Sequence, residues 1–345
     1  MSDRLAPLYQ LTLWRTREFL REPEAMFWVF AFPILLAFAL GLAFKNRGPD
    51  KVKLGVVDRA GAAELRAAFD SVGGIDGLVL DSVEAFDRLR TGRVSVLVLP
   101  GDPVALQFDS TRQESHVARL VVENALQRAA GRRDVREVRE IRVTEPGSRY
   151  IDFLIPGLLG MNIMGTGLWG IGFAVVNARQ KKLLKRFLAS PMRKSDYMLA
   201  HLLARLVFLT LEVVSVLLFA WLVFRVPLRG SVAAVAIVVL VGAAAFAGLG
   251  LLVASRAKTV EGVSGLMNLV MVPMWICSGV FFSASRFPEA MQPAIKVLPL
   301  TALNDALRAV MIDGAALSST AGMLAVMALW GVASFAAALR IFRWM

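Results

Sequence analysis

The amino-acid sequence predicts an α-helical polytopic membrane protein with six transmembrane helices and a small α/β extracytoplasmic domain between the first and the second. Three observations support this fold class. Hydrophobic residues make up 57% of the chain and charged residues only 19%, and the mean hydropathy is +0.60. Six apolar stretches are long enough to cross a bilayer. About a hundred residues of ordinary polarity separate the first two stretches.

Each of the six apolar stretches has the length and the low charge of a transmembrane helix. They are residues 26–44, 151–176, 198–223, 231–254, 260–282 and 321–339. Arginines precede the first stretch, as they do in a signal peptide. Its apolar part is too long for a signal peptide, however, and no clear small-residue cleavage site follows, so we interpret it as a retained anchor.

The distribution of basic residues predicts the orientation of the chain in the membrane and argues against nucleic acid as a partner. The net charge is +12, but residues 45–149 contribute only +2. With a cytoplasmic N-terminus, fifteen basic residues lie in short inner segments and five in short outer ones, which fits the positive-inside rule. We predict that the protein lies in a bacterial plasma membrane with both termini in the cytoplasm. Residues 1–24 form an interfacial helix, 25–45 the first span, 46–150 the outer domain, and 151–345 contain five further spans. The last part includes a cytoplasmic loop, 177–196, and an outer segment, 283–318.

The outer region has the pattern of a folded α/β domain. Residues 53–58, 94–100 and 103–109 are short β-branched runs bounded by turn residues, as strands are. Residues 62–72, 84–90 and 114–130 have helical spacing. The sequence shows no metal-ligand spacing, nucleophile triad or phosphate loop there, so we predict no catalytic, metal-binding or cofactor-binding residue in this chain.

The basic segment 179–192 also carries an apolar stripe. Its members are Leu183, Leu184, Phe187 and Leu188, which share one side of a short helix that Pro191 ends. A loop that only oriented the chain would need the charges but not the stripe. The stripe therefore predicts docking, either onto the cytoplasmic ends of the protein's own spans or onto a cytoplasmic partner.

The first twenty residues have amphipathic helical spacing. Leucine and aromatic side chains fall mainly on one side, and charged side chains mainly on the other. A helix of this kind lies flat at the membrane surface, in contact with lipid, before the chain turns into the first span.

Six polar side chains within the spans are candidates for function, because polar groups in hydrocarbon normally face protein or water. They are Asp152, Asn162, His201, Arg205, Glu212 and Asn268. Asp152, Asn162 and Asn268 can cap or bridge helices. His201 and Arg205 lie near the cytoplasmic end of the third span, where Arg205 can reach the interface. Glu212 lies deeper, and either makes an interhelical bond or serves translocation. The second span is rich in glycine, which favours close helix packing or movement during gating.

Several segments, in this order, resemble the ABC-2 type transporter permeases. Residues 27–44 resemble the family's first span, 150–165 the start of its second, and 298–314 the outer segment before its last. Residues 178–206 resemble its cytoplasmic loop, in which a basic run leads into a turn, here Leu188-Ala189-Ser190-Pro191. The resemblance includes nearly the whole chain and is weakest in the outer domain. It implies an exporter subunit that pairs with a second permease copy, the same or a similar chain, and binds a cytoplasmic ABC ATPase through the loop.

The sequence contains no Gly-x-x-x-x-Gly-Lys-[Ser/Thr] motif, which holds nucleotide phosphates in many ATPases. We therefore expect a transport subunit that is not itself an enzyme, with ATP and Mg²⁺ bound by the partner ATPase and the loop 177–196 as the coupling element.

Two other functions are compatible with a membrane protein of this organisation. An ion-gradient-driven secondary transporter is the main alternative, but the spans show no inverted repeat and few paired carboxylates. A membrane-anchored sensor or scaffold would not need five spans after its outer domain. A neighbouring ATPase gene would favour the exporter. The apolar spans favour a drug-like or lipid-like amphipath as substrate, and fold alone does not identify it.

Overall fold

The computed structural model consists of two compact units, residues 46–142 and the remainder of the chain. It describes residues 10, 12–13, 16–17, 20–44, 51–72, 74–133, 136, 139, 147, 149–180, 194–257 and 259–341, and only the backbone of 71–72, 178–179 and 194–202. Most of the predicted interfacial helix 1–24 therefore lies outside the described residues.

The unit of residues 46–142, which the sequence predicts to be the outer domain and which we term the outer unit, contains a four-stranded sheet with the order β2-β1-β3-β4. Its elements are β1 (Val52–Val57), α1 (Ala62–Val72), β2 (Ile75–Leu80), α2 (Ser82–Arg90), β3 (Val96–Leu99), β4 (Ala105–Phe108) and α3 (Gln113–Ala129). β1 is parallel to both β2 and β3, whereas β4 is antiparallel to β3. The sequence predicted three of these strands and missed β2, in which Asp76 and Gly77 interrupt the apolar run.

The two faces of the sheet carry separate cores. The crossovers β1-α1-β2 and β2-α2-β3 run in opposite directions along the sheet, and because such crossovers are almost always right-handed, α1 and α2 belong on opposite faces. The burial agrees. Phe69 of α1 and Val122 of α3 share one core with Leu54, and Ala85 of α2 shares the other with Leu97.

The described part of the second unit contains six helices that are long and apolar enough to span a membrane. They are span 1 (Pro23–Ala43), span 2 (Tyr150–Asn177), span 3 (Leu203–Phe224), span 4 (Val232–Ala254), span 5 (Val260–Cys277) and span 6 (Leu317–Ile341). The strand-containing unit lies between the first two in sequence. These features confirm the predicted fold class.

The helices of spans 2 and 3 continue beyond the apolar segment toward the loop that joins them. The helix of span 2 is Tyr150–Gln180 and that of span 3 is Lys194–Phe224. The five loop residues predicted to couple this protein to a partner (Leu183, Leu184, Phe187, Leu188 and Pro191) lie outside the described residues.

Span 2 is the central helix of the bundle, and it packs against spans 1, 3, 4 and 5. It approaches span 4 closely: a Cβ atom placed at Gly250 of span 4 would lie 2.9 Å from the backbone oxygen of Leu168 and 3.0 Å from that of Gly167, too close for a side chain. Gly248 of span 4 faces Gly331 of span 6 in the same way. Small residues at such crossings bring helix backbones together, as expected in a membrane.

After span 5 the chain forms two short 3-10 turns and two helices before span 6. The helices are α4 (Gln292–Lys296) and α5 (Pro299–Met311). Most of α5 is buried against spans 2, 4 and 6, although it is too short to span a bilayer. The predicted outer segment thus contains a helix that belongs to the core of the bundle.

Candidate functional site

Four polar residues of spans 2 and 3 lie close together, and we term them the polar cluster: Asn162, Thr166, Arg205 and Glu212. Arg205 Nη2 donates to Thr166 Oγ1 at 2.6 Å. The Thr166 hydroxyl has one proton to donate, and three acceptors compete for it: Asn162 O at 2.9 Å, Ile163 O at 3.4 Å and Glu212 Oε1 at 3.5 Å. Thr166 therefore lies between a cationic and an anionic side chain that come from the same helix.

Glu212 is the most deeply placed member of the polar cluster. Its side chain is fully buried, and its Oε2 atom has no hydrogen-bond partner among the described residues. A buried carboxylate without its full set of donors is costly, and the nearby Arg205 offsets only part of that cost. A buried carboxylate of this kind is a candidate for function because the described residues around it do not account for both of its oxygens.

Asn162 links the polar cluster to span 1. Residues Phe27–Ala31 of span 1 form a π-helical turn, and Pro33 follows it. Proline has no N–H, so the carbonyl four residues earlier, that of Val29, loses its usual helical donor. Asn162 Nδ2 donates to this Val29 oxygen at 3.0 Å. A side chain of span 2 thus satisfies a backbone group of span 1 where no water is at hand.

This pairing gives a direct test. We expect Asn162→Ala to lower the free energy of unfolding by about 1 to 3 kcal/mol, because it leaves the Val29 carbonyl unsatisfied. In a Pro33→Ala background, residue 33 regains an N–H, so the same change should cost less than half as much. Denaturant unfolding of the purified protein in nanodiscs measures both. Equal costs in the two backgrounds would contradict the assigned role of Asn162.

Three members of the polar cluster, Thr166, Arg205 and Glu212, lie in the half of spans 2 and 3 that is closer to the 181–193 connection. Thr166 lies about 16 Å along the helix from Asn177, the end of span 2, and Glu212 about 14 Å from Leu203, the start of span 3, at 1.5 Å per residue. Arg205 is only two residues from the start of span 3. A displacement of that connection would therefore reach the polar cluster through two continuous helices.

A second ionic contact fixes the opposite ends of the same two spans. The buried Asp152 carboxylate accepts from Arg149 Nη2 at 2.7 Å and from Gly147 N at 2.8 Å. Arg149 Nη1 also donates to Phe224 O, at the end of span 3, at 2.9 Å. The hydrogen bonds that Arg149 donates to the Asp152 carboxylate raise the pKa of the Arg149 guanidinium. Asp152 thus joins spans 2 and 3 indirectly and is not part of the polar cluster.

Side chains of α5 satisfy the backbone at the end of span 5. Asn304 Nδ2 donates to Ser278 O at 2.8 Å, and the Arg308 guanidinium donates to Gly279 O. Gly279 has φ +71°, the left-handed conformation that commonly ends a helix. Arg308 also lies 3.8 Å above the ring of Phe153 in span 2. These contacts attach α5, span 2 and the end of span 5 to one another.

Burial affects the pKa values of the two charged side chains at this junction, Arg308 and Asp305. Burial lowers the pKa of the Arg308 guanidinium to about 10, which leaves it charged at neutral pH. Burial raises the pKa of the Asp305 carboxyl, whose Oδ1 atom lies 3.5 Å from Arg308 Nη1. Arg308 also donates to the backbone oxygen of Phe153 at 3.4 Å, so a guanidinium charged at neutral pH holds two backbone carbonyls at this junction.

The six polar residues predicted from the sequence have different outcomes. Asn162, Arg205 and Glu212 lie together. The sequence allowed the Arg205 side chain to extend to the membrane interface, whereas in the structure it points into the protein and donates to Thr166. Asn268 lies apart from them, on an exposed face of span 5. The His201 side chain lies outside the described residues. Sequence reasoning missed Thr166, whose one signal is its position four residues after Asn162 on the same helix face. It also missed Arg149, Asn304 and Arg308.

Comparison with known proteins agrees with this architecture. A family model described as ABC-2 family transporter protein matches residues 24–340. Among curated proteins, the chain is similar to ABC transporter G family member 20 of Dictyostelium discoideum, with 30% identity over 174 residues. The match includes 50% of this chain and 24% of that relative, so the chain spans about a quarter of the relative's length. Because the family match includes the outer unit and all six spans, the chain belongs to the ABC-2 family of transporter proteins and is a membrane transport component.

Proposed function

We propose that this chain is the permease subunit of an ABC exporter, which moves its substrate outward with energy from ATP hydrolysed by a separate subunit. The observation that supports this most directly is the polar cluster, which joins spans 1, 2 and 3 on the side of the 181–193 connection. A polar group buried between helices has few alternative arrangements, so a shift of one helix changes the contacts of the others.

The partner is a cytoplasmic ABC ATPase that docks on the loop 177–196. The apolar stripe of the loop contacts the ATPase, and the helices of spans 2 and 3 carry the movement to Thr166 and Glu212. ATP and Mg²⁺ belong to the ATPase in this arrangement, and this chain supplies the contact surface and the pathway. The membership of the ABC-2 family supports the association with an ATPase subunit.

The pathway forms between two permease copies, identical or similar, and span 5 lies at their boundary. Asn268 supports this placement. It is exposed in the single chain, yet it lies near the middle of a helix apolar enough to span the membrane. An amide in contact with lipid hydrocarbon is unfavourable, whereas a second subunit or an aqueous pathway satisfies it.

The remaining parts of the proposal are the location and the substrate. The chain lies in a bacterial plasma membrane with both termini in the cytoplasm, the interfacial helix 1–24 rests on lipid, and residues 46–150 are extracytoplasmic. The apolar exposed faces of the spans favour a drug-like or lipid-like amphipath that enters from the bilayer.

The docking role of the loop predicts a strong effect at Phe187. We expect Phe187→Asp to abolish copurification of the ATPase or to uncouple ATP hydrolysis from export, because a carboxylate in an apolar groove costs several kcal/mol. Lys185→Ala, on the opposite side of the predicted loop helix, is the control and should change binding by about 1 kcal/mol or less. If Phe187→Asp binds and exports as the wild type does, the loop is only a topology signal.

The energy source distinguishes the exporter from a secondary transporter. Inside-out vesicles that contain this chain and its ATPase should accumulate a fluorescent amphipath when ATP is added, and a protonophore should leave that accumulation unchanged. An ATPase variant without its phosphate-binding lysine should show none. Accumulation that needs a proton gradient and tolerates the inactive ATPase would establish the secondary transporter instead.

A further inference from the structure

Helix α3 of the outer unit presents a second apolar face that the unit does not cover. The residues by which α3 packs into the unit are Ser115, Ala118, Val122 and Ala125. On another side of the helix, Val117, Leu120 and Val121 are 57%, 57% and 38% exposed. Three neighbouring aliphatic side chains at i, i+3 and i+4 form a continuous apolar patch in a region that is otherwise highly charged.

The exposed face has the spacing of a helix-pairing seam. Gln113, Val117, Leu120, Asn124 and Gln127 follow one another at intervals of four, three, four and three residues, and all five are exposed. This alternation is the one that keeps two helices in contact along their length. We term these five residues, together with Val121, the α3 seam.

Charges at the two ends of α3 fit an antiparallel pair. Glu114 lies in its first turn and Arg128 in its last. If a two-fold axis passes between Leu120 and Val121, Glu114 of one helix lies beside Arg128 of the other, and the apolar residues meet at the centre. A parallel pair would place like charges together. Within the described part of the chain, Glu114 makes no ion pair of its own.

We propose that the α3 seam is an interface with α3 of a second copy of this chain, in antiparallel orientation. The proposal rests on the pairing of two permease copies described above and adds a contact outside the membrane to it. An isologous contact of this kind needs a self-complementary surface, which a seam with opposite charges at its ends provides.

Helix α2 also has an exposed apolar pair, but it lacks the seam spacing of α3 and an end charge that, like Glu114, makes no ion pair within the described residues. Val83 and Phe86 are 78% and 44% exposed. The charges next to them are paired within α2 itself, as in the 2.6 Å contact between Arg88 and Glu84. The cores assign α2 to the opposite face of the sheet from α3, so α2 supplies a matched control.

Cysteine cross-linking of the full-length chain in membranes tests the contact. In a Cys277→Ser background, Leu120→Cys should form a covalent dimer on mild oxidation, because a residue beside the two-fold axis can reach its counterpart within disulfide range. Val83→Cys, which is more exposed, should form little. A third variant, Asn268→Cys, reports the pairing of copies at span 5 independently.

A charge exchange tests the orientation. Glu114→Arg should lower the cross-linked fraction of Leu120→Cys by about two- to thirtyfold, the range expected for the two exposed ion pairs that a two-fold contact contains. Adding Arg128→Glu should restore it. The two residues are fourteen positions apart, about 21 Å along one helix, so a restored contact must lie between copies.

The three readouts separate the proposals. Cross-linking at residue 268 without any at residue 120 would overturn the α3 contact and leave the paired permease in place. Equal cross-linking at residues 120 and 83 would indicate collision only and would also overturn it. Failure of the charge exchange to restore cross-linking would exclude the antiparallel arrangement. Absence of cross-linking at all three positions would argue against the pairing of identical copies itself.

Discussion

Arg205→Met is expected to cause the largest loss of stability among the substitutions in the polar cluster. Arg205 supplies the positive charge near the buried Glu212 and donates to Thr166 at 2.6 Å. Methionine retains much of the apolar length but leaves the carboxylate without a compensating charge. Thr166 lies between the two charges, so the loss should approach but not exceed the value of about 3 to 5 kcal/mol that is typical of removing one partner of a directly paired buried ion. Thermal unfolding in nanodiscs and export in vesicles should both show the loss.

The matched control removes the carboxylate charge as well. In Arg205→Met with Glu212→Gln no unpaired charge remains, so the double variant should regain most of the lost stability. The coupling energy between the two positions should exceed about 1 kcal/mol. If the two losses simply add, the charges of Arg205 and Glu212 do not act on each other, and the polar cluster is a set of independent contacts.

Glu212→Gln alone distinguishes two roles for the carboxylate. If Glu212 only joins helices, the amide should preserve export. If its charge serves translocation, the amide should impair export while the complex with the ATPase remains intact.

Gly157→Ala is expected to have the second large effect, through sterics. A methyl group at this position would lie 2.5 Å from the backbone oxygen of Val280 and 3.1 Å from Arg308 Nη2. Neither can move freely, since Arg308 also holds Gly279 O at the end of span 5. We expect a loss of about 1 to 3 kcal/mol, as for other overpacked sites, and a matching loss of folded protein in membranes.

Gly170→Ala provides the control in the same helix. Apart from the backbone of its own helix, no atom of the described residues lies within 4 Å of a methyl group placed there, so the change should stay within about 0.5 kcal/mol. Size-exclusion chromatography and denaturant unfolding of the two variants make the comparison. If both glycines tolerate alanine equally, the close approach of span 2 to the end of span 5 does not limit stability.

Periodicity and composition predicted the spans well because each span must be apolar enough, and long enough, to cross the bilayer largely independently of its neighbours. Apolar runs of fixed length are needed wherever a helix crosses hydrocarbon, whatever its neighbours are. The same reasoning failed for α5. This helix is short and contains Asn304, Asp305 and Arg308, so it read as part of an outer loop, although most of it is buried.

The polar contacts were only partly predictable for a related reason. A polar residue in an apolar run identifies itself, and Asn162, Arg205 and Glu212 were found in this way. Their partners did not stand out: Thr166 is weakly polar, and the Val29 carbonyl is part of every backbone. Pro33 was the one available sign that this carbonyl needs an outside donor, but the sequence does not show which donor reaches it.

The central position of span 2 has a consequence for how the protein is made. Of the residues in its apolar segment 61% are buried, compared with 17% for the first and last spans. The ribosome nevertheless completes span 2 long before span 4, α5 and span 6 exist. At ordinary rates of synthesis, the glycine-lined surfaces of span 2 remain unpacked for on the order of ten seconds before the helices that cover them are synthesised. Membrane insertases and proteases act during that interval, so changes in span 2 should reduce the yield of protein more than its final stability alone would predict.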